Sequence, residues 1–460
     1  MTTLAESRTR TVEHALTHYY DDLRRAAAAI RRDRTSEPDG FAPEFDLPPL
    51  SPALEAFYSL SRLDLRPLGT YNGTELTLLD LMGNPRTRTT KTPASLLMVA
   101  RAVHHIQRTG EPVMIITPSS ANKATALRDA VLRAIECDLV TPDQLRIVVI
   151  VPQACTPKLW SSPLSTDPAL ARRNPVLVYP GADRSQVKLL ARAVADECTT
   201  LLHELAGIRL WYSLDIDNYR MADAARAFFE QEQFPTRAGR SRLHAHAVSS
   251  AYGLLGHHLG HTVAHADAAA AAPGYFLVQH LDTPDMVLDL HFGSADHRHI
   301  PEYSYDRDSG LFHQSADPRF PATTFDPAEI LDPTFYTRRP PTSPEMNALI
   351  GAGGGGGIVV SLHECLQRYA ALRARLASAG VTLPADPRQV REWSLVMGAT
   401  GVLNALDRGL ITADEVVLHG SGCYSTTDYT PLAADVPTVV AEPRQARQEV
   451  LHAALAGESA

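Results

Sequence analysis

The chain lacks any apolar run long enough to cross a bilayer. It also lacks a CxxC pair and disulfide-framework spacing: Cys137, Cys155, Cys198, Cys365 and Cys423 are odd in number and scattered, which suits a reducing compartment. No excess of positive charge is present. The net charge of −9 gives no global reason to bind nucleic acid or an anionic membrane. The opening MTTLAESRTRT has no signal-peptide apolar core, so the expectation is a cytoplasmic protein. There is no HExxH, no GK[ST] after the glycine run GAGGGGGIVV (351–360), and no internal repeat. What the chain does have is length: 460 residues, 44% of them hydrophobic, enough for two or three domains.

Residues 11–33 carry helical periodicity, and 34–50 are Pro-rich, as in a loop or linker. From Thr87 onward, strand-like and helix-like segments alternate. The strand-like runs are VMIIT (113–117), LRIVVIV (145–151), PVLVYPG (175–181), IRLWYSL (208–214), LHAHAVSS (243–250), YFLVQHL (275–281) and DEVVL (414–418), with helical patterns between them. Residues 292–345, rich in Pro, Asp, Arg and Tyr, read as irregular. This alternation predicts an α/β protein with mostly parallel sheets. The expected division is an N-terminal helical and Pro-rich extension (1–75), a smaller α/β domain (76–215) and a larger one (216–460).

In parallel sheets, ligands gather where strands end and helices begin. Four such places stand out. Lys91 in TTKTPAS sits at a helix mouth after the turn GNPR. PSSANKA offers Ser119, Ser120 and Asn122, which can cap a helix or hold an anion on its free N–H groups. SSAYGLLG offers Ser249, Ser250, Ala251, Tyr252 and Gly253, where a glycine lets the backbone approach an anion. HGSGCYS offers His419 and Ser421. Arg86 and Arg88, just before Lys91, are candidates for a substrate carboxylate or phosphate.

In this order, over roughly residues 75–430, these segments resemble the fold type II family of pyridoxal 5'-phosphate (PLP) enzymes, threonine synthase most of all. The resemblance implies two parallel-sheet domains, PLP as cofactor, and a homodimer acting on an amino-acid substrate by β- or γ-elimination or replacement. GNPRTRTTKTPAS matches the Schiff-base lysine turn, with Lys91 as the lysine. SSANKATAL matches the loop whose Asn meets the cofactor's O3′, here Asn122, and SSAYGL the loop that holds its phosphate, Ser249 to Gly253. MGATGVLNALDRGLITADEVVLHGSG matches the final helix, strand and loop. The chain departs from the pattern at Thr90 and Thr92 around the lysine, at Ala121 before the Asn, and at His419, where Ser or Thr normally meets the pyridine nitrogen; that role falls to His419 or Ser421.

Two competing signals remain. GHHLGHTVAH places His257, His261 and His265 on one helix face, a spacing that can share zinc in a metal-dependent hydrolase; the expectation is instead a His-rich helix behind the phosphate loop, with no metal. The glycine run at 351–357 is expected to be a mobile segment or a plain turn, not a phosphate cradle. A non-catalytic protein that keeps the same fold is the third reading.

Overall fold

The structure is a computed structural model that describes residues 8–34, 40–265 and 271–456, so parts of the N-terminal extension and of the 34–50 segment lie outside the described residues. Two parallel-rich sheets carry the fold. The smaller has five strands in the order Thr438–Val439, Val176–Tyr179, Leu145–Pro152, Val113–Pro118, Arg209–Tyr212, all paired in parallel. Val113–Pro118 and Leu145–Pro152 are buried along their whole length, which explains why they are apolar except at Thr117 and Arg146. The larger sheet has seven strands, in the order Arg10–Val12, Leu63–Tyr71, Thr74–Asp80, Glu415–Gly420, Arg242–Ala247, Gly274–His280, Gly355–Val360. The first three pair antiparallel, and the rest run parallel from Thr74–Asp80 onward.

The expected domain boundaries do not follow the sheets. Leu63–Tyr71 and Thr74–Asp80 form a hairpin around Asn72 and Gly73, both at positive φ, as a tight two-residue hairpin turn requires. That hairpin belongs to the larger sheet, not to an extension. At the other end, Thr438–Val439 joins the smaller sheet, and the helix Pro443–Leu455 packs its Ala446, Val450 and Ala453 into that sheet's core beside the helix Gln186–Ala206. Strand partners are chosen by buried faces and register, not by proximity in sequence. The N-terminal segment is tied in as well. Fully buried Arg101 donates from Nε to the Glu44 carbonyl at 2.8 Å and stacks 3.6 Å from the Phe45 ring. Among the described residues no helix is long and apolar enough to cross a membrane.

The glycine run corrects the expectation of a mobile segment or plain turn. Ser343–Gly353 is a helix, and Gly355–Val360 is a strand paired with Gly274–His280. The glycines are there for close packing. A Cβ on Gly355, whose φ is +125°, would stand 1.8 Å from the Tyr275 carbonyl oxygen, and one on Gly353 would stand 2.1 Å from that of Pro273. Gly355→Ala is therefore expected to destabilise the protein by about 3 kcal/mol, combining backbone strain with overpacking; urea unfolding beside wild type measures it. Residues 292–345 are largely irregular, as expected, but enclose a small antiparallel sheet of Ser304–Asp306, Leu311–His313 and Thr323–Thr324.

Candidate active site

The strand ends of the two sheets meet around one cavity of about 160 Å³. Pro118 comes from the smaller sheet; His246 and Ala247 end a strand of the larger sheet, and Ser421 follows another. Of the expected site residues, Lys91, Ser119, Ser120, Asn122, Ser249, Ser250, Ala251, Tyr252, Gly253 and Ser421 all line it. Segments up to 330 residues apart are thus brought together, counting from 91 to 421.

Lys91 opens the helix Lys91–Thr109. Its turn is fastened to the last loop: the Thr90 N–H donates to the Ser421 carbonyl at 2.8 Å, and Thr89 bridges to Gly422. The amine lies 5.2 Å from the centroid of Tyr219 and has no hydrogen-bond partner among the described residues. Burial, reinforced by the Arg226 charge, pulls its pKa below the ordinary lysine value against the opposing carboxylates Asp223 and Glu392. Lys91 is thus not a solvated surface residue but an amine facing a cavity.

Both Ser-rich loops start helices after an alanine at positive φ: Ala121 at +91° and Ala251 at +53°. Only glycine takes such a conformation freely, so strain is concentrated at the two junctions that line the cavity. In the second loop, the first helical bonds run from the Leu254 and Leu255 N–H groups to the Ala251 carbonyl. The Tyr252 and Gly253 amides precede that ladder and sit where a helix start takes an anion. In the first loop, Ser119 Oγ accepts from the Ala121 and Ala124 N–H groups at 3.2 and 2.8 Å, capping the helix, and keeps only its own hydrogen to donate. Asn122 donates to Glu392 at 2.6 Å and accepts from the Tyr424 hydroxyl at 2.8 Å, which leaves one amide hydrogen.

Beneath that Asn lies a buried ion triad. Lys158 Nζ contacts Asp332 Oδ1 at 2.9 Å and Glu392 Oε2 at 2.7 Å. Burial alone would lower the Lys158 pKa, but the two carboxylates outweigh it and raise it well above the ordinary value. The triad joins a segment that follows a smaller-sheet strand to two segments near the larger sheet.

Two expectations are corrected. His419 is buried beside the cavity but does not line it: its Nδ1 is 3.1 Å from Arg226 Nη1 and its Nε2 3.1 Å from His244 Nδ1, so both nitrogens are engaged. Ser421, in contrast, lines the cavity, and its buried hydroxyl has no partner among the described residues. Arg86 pairs with Asp129 and Glu136, and Arg88 with Asp428; neither lines the cavity. The helix Tyr252–Ala264 does not gather its histidines at one point: His257 turns inward to Glu230, while the His261 and His265 rings stack on each other at 4.3 Å.

Several lining residues were missed. Lys123 follows Asn122 directly; burial and then the Lys91 charge bring its pKa down to about 7, and its Nζ donates to the Ser213 carbonyl at 3.3 Å. Lys188 and Tyr219 come from segments with no loop signature. His246 has both ring nitrogens unpartnered, and burial followed by the Arg226 and Lys91 charges keeps its pKa well below the usual value. The His-Ala-His alternation at a strand end was its one signal. Among the described residues, the cavity lining holds three lysines and no carboxylate.

A sequence profile described as "Family of unknown function (DUF6002)" matches residues 11–454. The chain belongs to this family. No curated protein matches the sequence. Among solved structures, threonine synthase from Escherichia coli is similar with a TM-score of 0.54 and 13% identity, over 96% of this chain and 96% of that one. The PLP-bound threonine synthase from Brucella melitensis gives 0.53 and 12%, over 94% and 89% of the two chains. The yeast enzyme gives 0.52 and 11%, over 88% and 84%. At such identities the likeness is one of fold, and it runs through nearly the whole chain: this DUF6002 protein has the two-sheet architecture of fold type II PLP enzymes.

Proposed function

We propose that this protein is a PLP-dependent lyase or synthase that performs elimination or replacement at Cβ or Cγ of an amino acid. The observation that carries the reading is an acid-free cavity lined by Lys91, Ser421 and the helix start at Ser249–Gly253, with the Lys91 amine and the buried Ser421 hydroxyl both without a partner among the described residues. This donor set fits PLP. The amides and hydroxyls of Ser249 to Gly253 suit its phosphate, Lys123 and Lys188 add positive charge to the same cavity, and the remaining Asn122 hydrogen suits the phenolate oxygen. The Ser421 hydroxyl suits the pyridine nitrogen and, being neutral, leaves it uncharged. When bound, PLP supplies an electron sink for negative charge at the substrate's Cα.

Lys91 serves this chemistry in two ways. Its amine, held below the usual lysine pKa, would hold the cofactor's aldehyde carbon, and as a free amine it would be the base that takes and returns the proton at Cα. Ser120, and Ser119 through its one hydrogen, would orient a substrate carboxylate; both line the cavity. The reading includes a homodimer, as the resemblance implies. Added PLP is expected to give the wild-type protein a band near about 410–430 nm, characteristic of the cofactor joined to a lysine; a spectrum identical to free PLP rejects the proposal.

Gly253→Val is expected to weaken PLP binding by more than about tenfold, as read from titration of that band, which corresponds to about 1.4 kcal/mol. The reason is not blocked access to the amides. A Cβ on Gly253 would stand 2.5 Å from Arg226 Nη1, so it displaces the buried guanidinium under the loop.

A further inference from the structure

Below the cavity, built from residues to which the proposed chemistry assigns no role, runs a chain of buried polar groups. Arg226, in the helix Ala225–Gln233, has a side chain only 2% exposed. Its Nε and Nη2 donate to Asp223 Oδ1 at 3.0 and 2.7 Å, its Nη2 to Thr90 Oγ1 at 2.8 Å, and its Nη1 lies 3.1 Å from His419 Nδ1. His419 Nε2 meets His244 Nδ1 at 3.1 Å, and His244 Nε2 faces Glu230 Oε2 at 3.5 Å. From the other side, His257 Nε2 reaches the same carboxylate oxygen at 2.7 Å while its Nδ1 lies 3.0 Å from the Tyr275 hydroxyl.

Hydrogen-bond arithmetic gives this chain a direction. A guanidinium has only donors, so His419 Nδ1 accepts. A neutral imidazole carries one proton, so that of His419 is on Nε2 and is donated to His244 Nδ1. The His244 proton is then on Nε2, pointing at Glu230. Each group donates to the next, from Arg226 to the carboxylate. Glu230 is where the donors converge: Asp223 pairs with Arg226, while Arg242 is shared between Glu415 and Glu230, whose Oε1 its Nη1 meets at 2.5 Å.

The same arithmetic decides what the Glu230, His244 and His257 cluster is. Their ligand atoms lie within 4.8 Å of one another, a two-histidine, one-carboxylate set of the kind that holds zinc or iron. Metal ligation through His244 Nε2 would move that residue's proton to Nδ1, where it would meet the His419 Nε2–H donor to donor. While Arg226 donates to His419, the metal set is excluded.

We infer that Arg226 is a positioning residue: its one guanidinium ties the turn that carries Lys91, through Thr90, to the floor of the Ser249–Gly253 loop, and anchors a directional relay through His419 and His244 to Glu230 that holds His419 neutral and out of the cavity. The inference rests on the proposed PLP site for its bearing on Lys91, but the relay stands on geometry alone. The groups facing Lys91 are Asp223, Arg226, Glu392, Lys123 and His246; those facing His419 are Arg226, His244, His246 and His257. Without the Arg226 charge, Asp223 faces Lys91 unopposed, so the lysine holds its proton to higher pH.

Long-range proton–nitrogen-15 NMR of histidine-labelled protein without cofactor tests the relay, with signals assigned through His419→Gln and His244→Gln. Both residues are expected as the neutral Nε2–H tautomer between about pH 5.5 and 8.5. An Nδ1–H tautomer or an imidazolium at either position overturns the relay, as does stoichiometric zinc or iron in the purified protein by elemental analysis. The link to Lys91 is read from the pH midpoint of band formation with PLP. Arg226→Met is expected to raise it by about one pH unit, and Arg226→Lys, which keeps the charge, to leave it near wild type. A midpoint that stays put in Arg226→Met overturns the positioning role. Absence of the band in wild type with the tautomers as expected rejects the cofactor reading and the positioning of Lys91 for it, but upholds the relay.

Discussion

Lys91→Ala is expected to abolish the band near about 410–430 nm on addition of PLP, while leaving the fold intact by circular dichroism. The amine has no hydrogen-bond partner among the described residues, and its contact is with the Tyr219 ring, so its removal breaks no hydrogen bond or ion pair that holds the fold. The loss should be complete. Lys123 lines the same cavity with a lowered pKa, but its Nζ is held by the Ser213 carbonyl at 3.3 Å. If Lys91→Ala keeps the band, the reactive amine is elsewhere, and Lys123 is the first alternative. Lys91→Arg should behave like the alanine variant, because a guanidinium does not deprotonate near neutral pH.

The second large effect is on stability. Lys158→Met is expected to destabilise the protein by about 3–5 kcal/mol at neutral pH, the usual result of breaking a buried ion pair from one side. Asp332 and Glu392 both contact its Nζ, at 2.9 and 2.7 Å, and both are fully buried. With the ammonium gone, two carboxylates face each other in a dry interior, and the folded state of the variant binds protons more tightly than the unfolded one. By linkage the variant is then least impaired near about pH 4 and loses stability as pH rises through neutrality. Wild type shows no such loss from this site: its raised Lys158 pKa contributes stability that is fully present below the unfolded lysine value and fades only as pH rises through the folded one. Urea unfolding at several pH values separates the two, and a variant equally stable across that range contradicts the account. Because Glu392 also holds the Asn122 amide at 2.6 Å, the variant should bind PLP more weakly even where it stays folded.

The sequence carried much of this organisation. Val113–Pro118 and Leu145–Pro152 were readable because central parallel strands are apolar on both faces, and the loops after Pro118 and Ala247 because Ser, Asn and Gly mark helix starts. Leu63–Tyr71 and Thr74–Asp80 were overlooked although Asn72-Gly73 is a strong hairpin signal, and Gly355–Val360 was mistaken because a strand half made of glycine shows no alternation; its purpose, contact with the Tyr275 backbone, exists only in three dimensions. His419 illustrates a further limit. Its place after a strand was legible, but which way its ring turns is decided by Arg226 and His244, 193 and 175 residues away. Ser421, two residues on, carries the partnerless hydroxyl instead. Lys188 could not be picked out from the sequence, since it reaches the cavity from a helix, Gln186–Ala206, with no motif.

The most direct test of the central claim is to incubate the wild-type protein with PLP, reduce it with borohydride, and map the modified peptide by mass spectrometry. The account predicts one stoichiometric phosphopyridoxyl group, on Lys91. A label on Lys123 or Lys188 instead, or the same pattern of scattered labels that denatured protein gives, would contradict it.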